Sequence, residues 1–195
     1  MVIENKINKI VMVCNLEENG RSKCYKYWPN LNTQLKFNNF NVSLEEETYP
    51  LKEKDLLERK LIIELKNKCN KKLEIKQLQY LGWPDHGVPS VDLAYPIFNY
   101  MYEAINSDVS DNTPVLVHCS AGIGRTGTFI SSYNIWRSIQ LGLKSINNNK
   151  TNVFNISIFD VVRLVKECRC FSVENINQYN FIYNIIAKHI SKIAK

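Results

Sequence analysis

The first half of the chain consists of short apolar stretches separated by polar residues. The run NKIVMVCNL at 8–16 has the length of a strand and predicts a buried one. The stretches KLIIELKN at 60–67 and KLEIKQLQYL at 72–81 alternate apolar and polar positions, so they predict two antiparallel strands joined by a turn. The run TPVLVH at 113–118 is apolar throughout and predicts a strand in the centre of the sheet. The polar segment ENGRSKC at 18–24 indicates a turn at its glycine.

The second half of the chain is dominated by longer segments whose apolar residues recur at helical spacing. These segments are VDLAYPIFNYMYEAI at 91–105, TGTFISSYNIWRSIQL at 126–141, SIFDVVRLVKEC at 157–168 and NINQYNFIYNIIAKHI at 175–190. Ser90 is a candidate N-cap of the first helix, and Gly142 is expected to end the second. Because no linker or internal repeat divides the chain, we predict one domain over residues 1–195, of the α/β or α+β class.

Charge and composition exclude several classes of protein. The 195 residues carry a formal net charge of +6, without a block of like charges long enough to indicate a nucleic-acid-binding surface. No apolar run reaches transmembrane length, and the N-terminus lacks the residue order of a signal peptide. The spacing of the cysteines and the three histidines matches no zinc pattern, so we expect no metal and reduced thiols typical of a cytosolic protein. The cysteines are Cys14, Cys24, Cys69, Cys119, Cys168 and Cys170.

One short segment, HCSAGIGRTG at 118–127, places Cys119 and Arg125 six positions apart between a predicted strand and a predicted helix. At such a junction, backbone N–H groups and the positive end of the helix dipole can surround an anion. The glycines let the backbone close around a ligand, and the Arg125 guanidinium can hold two of its oxygens. The same groups favour the thiolate of Cys119, which predicts a nucleophile directed at phosphorus. The alternative is an inert cysteine in a glycine-rich turn, whereas a Walker-type loop is excluded because no Gly-Lys-Ser/Thr follows.

This segment resembles the signature loop of protein tyrosine phosphatases. The resemblance implies that Cys119 is the nucleophile that forms a phosphocysteine, and that Arg125 binds phosphate together with the amides of the loop. The residues of that loop are Ser120, Ala121, Gly122, Ile123 and Gly124. It also implies that His118 holds the loop and favours the thiolate, and that Thr126 donates a hydrogen bond to the sulfur as the sulfur leaves.

Two further segments resemble the same family. A phosphate monoester leaves as an alkoxide or phenoxide, so the reaction needs a proton donor. WPDHGVP at 83–89 resembles the mobile acid loop, which implies that Asp85 protonates the leaving oxygen and later acts as a base on water, with Trp83 near the hinge. QYNF at 178–181 resembles the segment that positions the hydrolytic water, which implies that role for Gln178.

A fourth segment, ENGRSKCYKYWP at 18–29, separates the branches of the family. By resemblance, Glu18 braces the guanidinium of Arg125, and Lys23 approaches the acid loop. The dual-specificity branch keeps the signature loop but lacks KCYKYWP and WPDHGVP, so the chain is identified as a member of the tyrosine-specific, non-receptor branch. The implied fold is α/β, with a mixed central sheet flanked by helices and the signature loop between a buried strand and a helix.

The chain departs from the family pattern at two places. It begins in the middle of the family domain and lacks a Lys-Asn-Arg-Tyr stretch, so we expect a shallower pocket in a naturally shortened, virus-encoded or incomplete member. The family usually has glutamine four positions before the glutamine of QYNF, where this chain has Glu174. A carboxylate there is expected to repel the phosphocysteine and to slow its hydrolysis.

These features leave three functions open. The first is hydrolysis of phosphotyrosine in proteins without a cofactor, with reduced activity, in the cytoplasm (of the host if the protein is virus-encoded). The second is a pseudophosphatase that captures phosphotyrosine proteins with little or no turnover, which the shortened N-terminus and Glu174 favour. The third is a phosphatase of phosphoinositides or RNA 5′-phosphates, which lacks support because positions 120–124 carry no lysine. The first is our prediction, with phosphotyrosine-containing proteins as the partners.

Overall fold

The computed structural model describes residues 1–66, 71–84, 87–107, 113–147 and 155–194, apart from the side chains of residues 146 and 147. Within these ranges the strands are β1 Lys9–Met12, β2 Glu17–Glu18, β3 Arg21–Ser22, β4 Gln34–Lys36, β5 Phe40–Thr48, β6 Leu56–Leu65, β7 Lys72–Tyr80 and β8 Val115–His118. The helices are α1 Val91–Asn106, α2 Gly124–Asn147, α3 Ile158–Cys168 and α4 Ile176–Ile193. The chain forms two compact units, Met1–Asp85 with Ile97–Ser120, and His86–Pro96 with Ala121–Lys195. The single domain over residues 1–195 stays a prediction.

The first unit contains a six-stranded sheet with the order β4-β5-β6-β7-β1-β8. From β4 to β7 each strand is antiparallel to the next in the sheet, whereas β1 runs parallel to both β7 and β8. Ile10, Val11 and Met12 of β1 are buried, as the apolar run at 8–16 predicts. The predicted α/β class with a mixed sheet is therefore confirmed.

The position of β8 corrects the prediction made from its apolar run. The run at 113–118 predicts a central strand, but β8 lies at the end of the strand order and, within the described ranges, pairs with β1 alone. All four of its residues are half-buried, whereas β1 lies between two paired strands, β7 and β8. A continuous apolar run indicates that both faces of a strand are covered, whereas its place in the sheet depends on which strands pair with its edges.

The hairpin and the turn predicted in the first half of the chain are both present, although one strand of the hairpin begins earlier than predicted. Strands β6 and β7 are antiparallel as predicted, although β6 begins at Leu56, and residues 67–70 of their connection lie outside the described ranges. The predicted turn lies between β2 and β3, where Asn19 and Gly20 have φ values of 52° and 72°. Two consecutive positive φ angles are typical of a type I′ turn, whose twist matches that of hairpin strands. Strands β4 and β5 were missed because most of their residues are polar and half of them are exposed.

The second unit contains α2, α3 and α4, each overlapping a predicted helix. The N-caps of α3 and α4 are Ser157 and Asn175, and the side chain of each accepts a hydrogen bond from the third backbone N–H of its helix. The expectation that Gly142 ends α2 is wrong, because the helix continues to Asn147. A glycine usually ends a helix by adopting a positive φ, which Gly142 does not do.

Helix α1 begins at Val91, directly after the predicted N-cap Ser90. A backbone hydrogen bond of 2.9 Å joins the Ala94 N–H to the Ser90 carbonyl at this end of the helix. Among the helices that the structure describes, none combines the length and the hydropathy that a membrane span requires.

Candidate active site

The signature segment lies between the end of β8 at His118 and the start of α2 at Gly124, so the predicted order of strand, loop and helix is confirmed. Residues 119–120 belong to the first unit and residues 121–124 to the second. Gly122 has a φ of 71°, a backbone conformation that residues with a Cβ rarely adopt. Glycine is therefore favoured at this position of the loop.

His118 is held in one tautomer in the first unit. Its Nδ1 lies 3.1 Å from the Cys119 carbonyl oxygen, and because a carbonyl only accepts, Nδ1 is the donor. Burial lowers the pKa of His118, against the opposing effect of the bond to Cys119, so the ring is neutral at pH 7. Its Nε2 then accepts a hydrogen bond from the Tyr27 hydroxyl at 2.8 Å. The His118 carbonyl also accepts from the Val13 N–H at 2.9 Å, so ring and backbone are both fixed next to Cys119.

Tyr27 links His118 to a buried network that the sequence analysis did not find. The Gln77 amide donates to the Tyr27 oxygen at 2.6 Å, and burial raises the pKa of Tyr27, so the hydroxyl keeps its proton. The Gln77 carbonyl oxygen in turn accepts from Arg59 Nη1 at 3.0 Å. The same guanidinium nitrogen donates to Gln79 at 2.7 Å. A chain of hydrogen bonds therefore runs from Arg59 to the residue before the predicted nucleophile.

Arg59 is buried, and groups of the first unit compensate its charge. Its Nε lies 2.5 Å from a Glu47 carboxylate oxygen, and its Cζ lies 4.4 Å from the centre of the Trp28 ring, which is within the range of a cation–π contact. The one signal for this network in the sequence was the pair Gln77 and Gln79. Residues at i and i+2 of a strand share a face, so two glutamines in that spacing place two amides side by side.

Glu18 and Lys23 lie close together at the β2–β3 hairpin. Glu18 is buried, one of its carboxylate oxygens accepts from the Asn15 N–H at 3.1 Å, and the other lies 4.0 Å from Lys23 Nζ. The Asn15 side chain donates to the Leu81 carbonyl at 2.9 Å, which ties the hairpin to the segment that leads into the predicted acid loop. The implied contacts of Glu18 with Arg125, and of Lys23 with the acid loop, stay predictions.

Trp83 anchors the start of the predicted acid loop in the core of the first unit. It is buried, and its ring centroid lies 6.2 Å from that of Tyr80 and 5.9 Å from that of Phe98. Asp85, the predicted general acid, lies outside the described residues. Its role therefore stays a prediction.

Arg169, which the sequence analysis did not single out, lies against the signature loop in the second unit. Its Nη2 donates to the Ala121 carbonyl at 3.3 Å, and a Cβ added to Gly122 would lie 3.3 Å from the same nitrogen. The contact joins residues 48 positions apart, and no motif surrounds Arg169 in the sequence. No local signal could therefore have found it.

Gly124 is covered by two side chains of the segment before α4. A Cβ added to Gly124 would lie 2.9 Å from a Glu174 carboxylate oxygen and 2.9 Å from the Gln178 amide nitrogen. A larger residue would have to displace both groups. The structure thus places Glu174 and Gln178, both singled out from the sequence, against the last glycine of the loop.

Arg125 and Thr126 occupy the first turn of α2. Thr126 is buried, and its Oγ1 has no hydrogen-bond partner among the residues described. Two implied contacts of these residues stay predictions, the pairing of Arg125 with the phosphate bound at Cys119 and the donation from Thr126 to the sulfur.

Comparison with known proteins gives one consistent result. A family model described as Protein-tyrosine phosphatase matches residues 1–188. Tyrosine-protein phosphatase 99A of Drosophila melanogaster is 32% identical over 195 residues, which cover 98% of this chain and 14% of the fly protein. Human tyrosine-protein phosphatase non-receptor type 20 is 34% identical over 194 residues, which cover 99% of this chain and 42% of that protein. Receptor-type proteins are also among the relatives.

The fold resembles that of a solved member of the same group. The structure of PTPN18 in complex with HER2 phosphopeptides aligns with a TM-score of 0.78 at 31% identity. The alignment covers 96% of this chain and 59% of the solved one. The chain therefore spans less than two thirds of the length of each of these proteins.

Proposed function

The chain belongs to the protein-tyrosine phosphatase family, and on this premise we propose that it hydrolyses phosphotyrosine in proteins through a cysteinyl-phosphate intermediate. The observation that carries the proposal is the signature segment, in which Cys119 follows β8 and Arg125 lies in the first turn of α2. The positive φ of Gly122 and the close packing at Gly124 support a loop whose N–H groups surround an anion. The hydrogen bonds at the two ring nitrogens of His118, one donated and one accepted, support a fixed geometry for the nucleophile.

The proposed reaction has two halves. In the first, the Cys119 thiolate forms a bond to phosphorus while the bond from phosphorus to the tyrosine oxygen breaks, and Asp85 gives its proton to that oxygen. In the second, the oxygen of a water molecule bonds to phosphorus, the bond from sulfur to phosphorus breaks, and its electron pair returns to Cys119. One proton of that water passes to Asp85, which restores the acid. Arg125 and the loop amides hold the phosphoryl oxygens throughout, and neither a metal nor an organic cofactor is required.

The proposed substrates are proteins that contain phosphotyrosine. The solved relative that holds HER2 phosphopeptides supports this substrate class. The segments KCYKYWP and WPDHGVP support assignment to the tyrosine-specific, non-receptor branch. A single catalytic domain acting in the cytoplasm is part of the same proposal.

A turnover assay tests the proposal directly. The wild-type chain is expected to release nitrophenol from p-nitrophenyl phosphate and phosphate from a phosphotyrosine peptide. Cys119→Ser should abolish both, and Asp85→Ala should slow them by about 10²- to 10⁴-fold, the usual contribution of general acid catalysis. Cys168→Ser is the matched control, because Cys168 is exposed near the end of α3. Turnover that survives Cys119→Ser would contradict the proposal.

A second function, capture of phosphotyrosine proteins with little turnover, is favoured by the Glu174 carboxylate beside Gly124. A fluorescent phosphotyrosine peptide separates the two functions. If the wild-type chain binds the peptide and releases no phosphate over many hours, capture is the better account. If Cys119→Ser binds the peptide and only the wild type releases phosphate, the chain is an enzyme.

A further inference from the structure

We propose that a groove between α2 and α3 binds a fatty carboxylate, with the alkyl chain between the two helices and the carboxylate on Arg169. All the residues that line this α2–α3 groove belong to the second unit. The inference goes beyond the proposed function, because binding in the groove can be detected without turnover.

The α2–α3 groove is a cavity of about 400 Å³ with aliphatic walls, which is within the size range of small-molecule sites. Ile130 of α2 lines it, together with Val161, Leu164 and Val165 of α3. The three α3 residues share one face of the helix, because residues three and four apart are neighbours on a helix surface. Leu164 is nevertheless 52% exposed, so the described part of the chain leaves this apolar face open to an occupant.

The shape of the lining favours an alkyl chain over a flat ring. The lining positions on α3 run from Val161 to Cys168, which is about 10 Å along the axis at the usual helical rise. None of the described residues that line the groove is aromatic. Aliphatic walls offer dispersion contacts along their whole length but no ring on which another ring can stack.

Arg169, directly after α3, is the one charged residue among the described residues that line the groove. Its Nη2 donates to the Ala121 carbonyl at 3.3 Å, and within the described ranges its guanidinium has no carboxylate partner. A guanidinium carries five N–H donors, so enough remain to hold both oxygens of a carboxylate. An apolar groove that ends at one positive charge is complementary to an alkyl chain with one negative head.

Two cysteines allow the occupant to be detected by a footprint. Cys168 lines the groove, whereas Cys170 is outside its lining, and both thiols are exposed. Octanoate below its micelle concentration should slow the alkylation of Cys168 by N-ethylmaleimide about fivefold at saturation, and Cys170 should keep its rate. Mass spectrometry of the digested protein measures the two rates separately. Octanol has the same chain without the carboxylate, so it should protect Cys168 much less.

The charged end of the groove is tested by a pair of arginine variants. Arg169→Gln should weaken the binding of octanoate about fivefold, because the paired charge is lost. Arg163→Gln is the matched control, since Arg163 lies on α3 outside the lining and pairs with Asp160 and Glu167. It should bind octanoate as the wild type does.

The apolar wall is tested by a pair of leucine variants. Leu164→Glu should abolish the protection of Cys168, because it places a second carboxylate in the groove. Leu141→Glu should keep it, since Leu141 is 54% exposed, lies on α2 and is outside the lining. Equal urea midpoints of wild type and variants would show that each protein is folded.

Several results would overturn the inference. Octanoate that protects neither thiol, or both alike, would show that the groove is not its site. Equal protection by octanol, or undiminished protection in Arg169→Gln, would remove the role of the charge. Protection of Cys168 that rises with protein concentration in the absence of octanoate would identify a second copy of the chain as the occupant. None of these measurements uses turnover, so this inference and the proposed function fail separately.

Discussion

The Tyr27 hydroxyl donates to Nε2 of His118 across 2.8 Å, and this bond joins residues 91 positions apart in the chain. Because Nδ1 of the same ring donates to the Cys119 carbonyl, the imidazole is held at both nitrogens. Gln77 and Arg59 extend the network into the sheet. The residue before the predicted nucleophile is thus positioned by side chains from two strands and a loop that its own sequence neighbourhood does not contain.

Replacing Tyr27 by Phe should destabilise the protein and slow the proposed reaction. The change leaves the ring of His118 and the amide of Gln77 without the oxygen that they share, and unsatisfied buried groups cost about 1–3 kcal/mol of unfolding free energy. Urea denaturation and kcat measure the two effects. Tyr25→Phe is the matched control, since Tyr25 is 88% exposed and should change neither. Equal stability of the two variants would contradict the network.

Gly127→Ala should destabilise the protein more than Gly20→Ala. A Cβ at Gly127 would lie 2.7 Å from the Val173 backbone nitrogen and 2.7 Å from Ser172 Cβ, and backbone atoms cannot move aside cheaply. We expect a loss of about 2–3 kcal/mol there, as for other overpacked sites. Gly20 has a φ of 72° but no atom within 4 Å of an added Cβ. Gly20→Ala should therefore lower the free energy of unfolding only by the conformational cost of a positive φ, about 1 kcal/mol. Urea denaturation of the two variants measures both free energies of unfolding and tests this order.

His189→Gln should weaken the dependence of stability on pH. Burial lowers the pKa of His189, whose ring accepts from the Gln140 amide at 3.1 Å and contacts the Tyr95 hydroxyl at 3.2 Å. Below the unfolded value of about 6.5, the unfolded state binds a proton that the folded state excludes, so the unfolding free energy falls as pH falls, until the folded pKa is passed. The loss is at most about 1.4 kcal/mol per pH unit for one group.

Urea unfolding at pH 7.5 and pH 5.5 measures this contribution by difference. His118 shifts in the same direction and remains in both proteins, so it cancels in the comparison. The wild type should lose more stability between the two pH values than His189→Gln does. The same loss in both proteins would show that His189 takes no part.

The local parts of the site were predictable because they depend on neighbours in the chain. The apolar run before Cys119 predicts a strand, the pattern after it predicts a helix, and the glycine content of the segment between them matches the positive φ of Gly122. The end of α2 was not predictable in this way. Gly142 carries the same local signal as a terminating glycine, and the surroundings of the helix decide whether it continues.

The sequence by itself determined the proposed chemistry, since Cys119, Arg125 and the glycines between them lie within one short segment whose backbone geometry is local. Only the tertiary structure decided the contacts around that segment, including the bond from Tyr27 to His118, the approach of Arg169 to Ala121 and the approach of Gln178 to Gly124. The reason is physical. A hydrogen bond requires two atoms within about 3 Å, and for residues far apart in the chain that distance depends on strand order and helix packing, which periodicity does not encode.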